Sequence, residues 1–116
     1  MVNIYGKEIG FAFTVGAAKE LADLCPDKDL SRLGEASGEN LSDRLSFTID
    51  LILILNKAWC AIKTLEGETV APVTREMLET LSPKKLMSIG TEAMQIIHED
   101  SEGEIEVEGK KEQGVD

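Results

Sequence analysis

Residues 41–65 read LSDRLSFTIDLILILNKAWCAIKTL, and this stretch decides the architecture. Leu45, Ile49, Ile52, Leu55, Trp59 and Ile62 recur at three- and four-residue spacing, and Phe47, Leu51, Ile54, Ala58, Ala61 and Leu65 form a second stripe beside them. That period is the signature of a helix burying one side. Because the two stripes together cover more than half the circumference, the segment is predicted to be a central helix with neighbours on several sides. Asp43, Ser46, Asp50 and Lys57 leave it a narrow polar edge. Asn40 is the expected N-cap, Asp43 suits the positive helix end, and Gly67 follows the expected stop. Such a helix is roughly 37 Å long at 1.5 Å per residue. Its longest unbroken apolar run, Leu51 to Leu55, falls far short of the ~20 residues a bilayer crossing needs, so no membrane span is expected.

Upstream, Val2 and Ile4, then Ile9, Phe11 and Phe13, alternate with small or polar residues on either side of Gly6-Lys7, which predicts a short hairpin with one buried face. An isolated hairpin is barely stable in water, so it must rest on the helices. Thr14 is the expected cap of a helix with Val15, Ala18, Leu21, Ala22 and Cys25 on its apolar side, ended by Pro26. Asp27 or Asp29 is expected to cap a short turn carrying Leu30 and Leu33, with Gly34, Ser37 and Gly38 as loop.

Downstream of a break at Val70-Ala71-Pro72, Thr74 is expected to cap a short helix bearing Met77, Leu78 and Leu81. Ser82-Pro83 restarts the chain as a cap followed by proline at the first helical position. The last helix is expected to end near His98, with Leu86, Ile89, Ala93, Ile96 and Ile97 inward and Met87 and Met94 on a neighbouring flank. Lys84 and Lys85 at its start and Glu99 and Asp100 at its end oppose the helix dipole, each by a few tenths of a kcal/mol, roughly. The reading is therefore a mainly α chain with a short N-terminal β-hairpin, an α+β domain built around one long helix.

The chain has 116 residues and a formal charge of −10, and that charge is unevenly placed. From Glu99 to Asp116 there are eight acids and two lysines, which leaves only −4 on the rest. The expected division is a folded domain over 1–99 and an acidic, disordered tail over 100–116, where few apolar residues offset the ~1–2 kcal/mol per residue cost of ordering backbone. No basic stripe is present to neutralise phosphates, and anionic membrane surfaces would repel the chain. Neither nucleic acid nor membrane is an expected partner. Two cysteines with no close pairing motif and no secretory start place the expectation in a reducing, cytoplasmic setting.

Reactive chemistry is sparse. His98 is the sole histidine, which removes most triad, general-base and metal schemes. The stretch from Asp27 to Gly38 starts like a calcium loop, but Arg32 stands where the turn glycine belongs and Gly38 where the bidentate glutamate belongs. No phosphate-binding glycine fingerprint occurs. No catalytic residue, cofactor or metal is therefore expected. A small hydrolase would have only Asp23, Asp27 and Asp29 as candidates, and these read as solvated loop acids. Met77, Met87 and Met94 read either as core filler at helical spacing or, as the candidate contact residues, as an adaptable protein-binding face of unbranched thioethers. Trp59 is assigned to the core, where it would anchor a partner only if half-exposed.

Tyr5-Gly6-Lys7-Glu8 at the turn, Phe11-Ala12-Phe13 after it, and a helix carrying Ala18-Lys19-Glu20-Leu21 together form a pattern covering about the first quarter of the chain. It resembles the start of the tail assembly chaperones of long-tailed bacteriophages and prophages, which have Asn where this chain has Tyr5. The resemblance implies a non-enzymatic protein in the host cytoplasm that holds the tape measure protein soluble while tail tube subunits are recruited. It also implies two products, the longer made by ribosomal frameshifting, and Gly109-Lys110-Lys111 could be encoded by a slippery A-AAA-AAG run. The competing expectations are a structural phage component, such as a head-to-tail connector subunit closing into a ring, and some other acidic protein-binding module.

Overall fold

The structure, a computed structural model, describes residues 2–109, with side chains through Asp100. A two-stranded antiparallel hairpin, β1 (Val2–Ile4) and β2 (Lys7–Ile9), leads into α1 (Val15–Asp23). Two single turns of 3₁₀ helix, Pro26–Lys28 and Leu30–Arg32, then lead to α2 (Leu33–Ala36). The long α3 (Leu41–Leu65), the short α4 (Arg75–Glu79) and α5 (Pro83–Gly109) complete the chain. This is the expected α+β domain around a central helix. Caps form as the sequence predicts: Thr14, Asn40, Thr74 and Ser82 each accept a backbone N–H from the first helical turn.

The core runs along α3. Ile52 and Leu55 are fully buried, and they pack with Ile4 and Ile9 of the hairpin, Leu21 of α1, Leu78 of α4 and Leu86, Ile89 and Ala93 of α5. By length and composition α3 could cross a membrane, but half of its most apolar window is buried inside this fold, as suits a core helix. Its last turn projects outward: Ala61 is exposed and Leu65 is 89% exposed, although both belong to the expected buried stripes. The helix stops just beyond it, where Gly67 takes a φ of +94° and the Gly67 and Glu68 amides bond back to the Thr64 and Lys63 carbonyls.

Four further expectations are corrected. The hairpin turns at Tyr5-Gly6 instead of Gly6-Lys7, and Ile4 pairs with Lys7. The return strand stops at Ile9 instead of reaching Phe13, because Ile9 already pairs with Val2 and the backbone beyond it bonds to α3. In α1, Val15 is 79% exposed while Ala17 is buried, since Val15 occupies the first turn and points away from the core. Finally, α5 passes His98 and stays helical to Gly109, consistent with the good helix propensity of glutamate once a helix is nucleated. Of the expected acidic tail, residues 110–116, with Lys110 and Lys111, lie outside the described residues, as do the side chains from 101 on.

Candidate functional site: an apolar groove between two helices

The position of α5 on α3 is set by a close approach. Gly90 is buried against Thr48, and a Cβ added at Gly90 would lie 2.5 Å from Thr48 Cγ2. Thr48 in turn donates through Oγ1 to the Arg44 carbonyl at 2.7 Å, which satisfies its hydroxyl within the helix. The helices touch closely at this point and leave a groove beside it. Phe47, Thr48 and Leu51 of α3 face Met87, Gly90 and Met94 of α5 across a volume of about 420 Å³. Arg44, Ser37, Thr91, Gln95 and His98 form its rim.

The groove continues past Met94 and His98. A second hollow of about 430 Å³ shares these two residues and is closed by Leu30, Leu33 and Ile97. The loop forming that wall is braced by ion pairs. Arg32 holds Glu35 through two bonds of 3.1 and 2.8 Å and reaches Asp27 at 2.8 Å, while Asp29 accepts from the Ser31 amide and hydroxyl. Bonds from Arg32 hold the Glu35 carboxyl below its usual range, and those from Ser31 do the same for Asp29. Each of the three acids considered for a hydrolase has a local partner, Asp27 in Arg32, Asp29 in Ser31 and Asp23 in Lys28 Nζ at 3.7 Å.

Of the three methionines named from sequence, Met87 and Met94 meet in the groove. Met77 does not join them: it lies on α4, partly buried against the core and outside the groove lining, where Arg75 of the same helix pairs with Asp50 of α3. Met87 is 37% exposed, and its sulfur lies 3.5 Å from Thr48 Oγ1. His98, expected as a helix-end residue, stands at the junction of both hollows. Trp59 is half-buried, yet it is engaged within the fold: the Gly10 backbone lies on its ring and Lys63 Nζ sits 5.7 Å above the centroid. A Cβ at Gly10 would come within 2.2 Å of the indole.

Sequence reading missed Asn56. Its side chain is fully buried, donating to the Gly10 carbonyl at 2.9 Å and accepting from the Val73 amide at 2.8 Å. It ties the hairpin exit and the loop before α4 to the central helix. The available signal was a lone amide in an apolar run, a position where burial requires partners. Cys25 and Cys60 are free and buried, and burial is the leading cause that raises both thiols above their ordinary range. Among the described residues, no three His, Cys, Asp or Glu side chains are grouped to hold a metal ion.

Comparison with known proteins gives no match: no family model, no curated protein and no solved structure is similar to this chain.

Proposed function

We propose that the protein is a non-enzymatic tail assembly chaperone of a long-tailed bacteriophage or prophage, which binds helical stretches of the tape measure protein in the host cytoplasm and helps recruit tail tube subunits. The observation that carries the binding reading is the groove between α3 and α5, apolar along its floor and flanked by Met87 and Met94. An amphipathic helix can lay its apolar stripe into such a groove, and methionine flanks adapt to partner side chains of differing shape. The sequence likeness of residues 2–21 supplies the particular partner. Co-expression with the tape measure protein of the same genome tests the proposal. The expected result is a soluble co-purifying complex that is lost with Met87→Glu, and retention no better than that of a scrambled control would refute it.

A further inference from the structure

The rim of the groove carries one arginine whose charge the fold does not use. The chain has three arginines. Arg32 is paired with Asp27 and Glu35, and Arg75 is paired with Asp50. The Arg44 guanidinium has no hydrogen bond or ion pair among the described residues. It is exposed and lines the groove next to Phe47 and Thr48. Although the chain as a whole is strongly acidic, no carboxylate among the described residues lines this groove, and neighbouring Asp43 and Glu92 stay outside it.

We propose that the groove takes an amphipathic helix of another protein that carries a carboxylate beside its apolar stripe, and that Arg44 selects this helix by pairing with that carboxylate. The inference rests on the groove being a helix-binding surface and adds the chemistry of the occupant. A planar guanidinium suits bidentate carboxylate recognition, and its planar fork is pre-organised for that contact. Partial burial by the docked helix would reduce solvent screening of the pair. A helix with a lysine in the same place would meet Arg44 as a like charge, so the sign at this one flank sets specificity more than raw affinity.

Selection from a displayed library of amphipathic helical peptides with randomised flanking positions tests this on the full chain. Thr91→Trp, an exposed rim change that occludes the groove without touching the core, identifies the binders that use it. Among binders lost with Thr91→Trp, Asp and Glu should be enriched at one flank. With Arg44→Glu, which the N-terminal end of α3 tolerates, the preference should reverse to Lys and Arg. Binding of a selected acidic peptide should weaken about five- to tenfold, with reduced salt dependence, as for a partly screened charge pair. Groove-dependent binders with no charge preference, or a preference unchanged by Arg44→Glu, would overturn the role of Arg44 alone. Absence of any binder sensitive to Thr91→Trp would overturn the groove reading with it. A dimer that sediments as such and dissociates with Arg44→Glu would place a second copy in the groove, and would overturn the proposed occupant.

Discussion

Asn56 shows how much can depend on a single side chain. Two buried backbone groups, one from residue 10 and one from residue 73, rely on its amide for their hydrogen bonds. Asn56→Ala is expected to cost about 2–4 kcal/mol in urea denaturation, because each group would lose its partner without gaining water. A loss under ~1 kcal/mol would mean that the latch is redundant. Gly90 makes the same kind of claim for packing. Gly90→Ala should destabilise by about 1–3 kcal/mol through its clash with Thr48 Cγ2, and Thr48→Ser, which removes that methyl but keeps the hydroxyl, should restore most of it. If the double variant is no better than Gly90→Ala alone, the contact is not the cause. These two residues were the least legible in the sequence. Periodicity marks which face is apolar, but it does not say where a buried amide finds partners or where two helices come closest.

At the scale of elements, the caps and turns were readable because their signals are local. Thr14, Asn40, Thr74 and Ser82 each act within three residues of themselves, and the Ser82-Pro83 restart needed no tertiary information. The hairpin turn was placed one residue late because its first position holds Tyr5 at φ +53°, a left-handed conformation that a tyrosine seldom advertises. The phenol hydroxyl of Tyr5 lies 2.6 Å from Thr80 Oγ1 at the end of α4, a contact that links the turn to the helices. The loop over residues 26–36 makes a pH prediction. The Glu35 carboxyl is held below its ordinary range in the fold, so its contribution is present above the unfolded value and lost as pH falls through the lower folded value. In an NMR titration Glu35 should therefore protonate below a free glutamate, and Arg32→Gln should move it back up. An unchanged midpoint in that variant would show that Arg32 is not the cause.

For the whole molecule, the long middle helix told the truth about the architecture. A stripe too wide for one neighbour implied a helix packed on several sides, and the hairpin, α1, α4 and α5 all pack against α3. The groove was only half legible. Met87 and Met94 share a flank of one helix and could be named, whereas Arg44, His98 and the Leu30–Leu33 wall come together only when three distant segments fold. Removal of residues 101–116 should shift the thermal midpoint by less than about 4 °C, because the buried cluster among the described side chains runs from Ile4 to Ile97 and lies upstream of the cut. A larger drop would assign the far end of α5 a structural part.

The most direct test is an NMR titration of the backbone amides with the tape measure protein's helical segments. The groove account predicts that shifts concentrate at Ser37, Arg44, Thr91, Gln95 and His98, with little change at Lys19, Lys57 or Glu68 on other faces. Shifts centred on the exposed end of α3 around Leu65, or none at saturating partner, would contradict it.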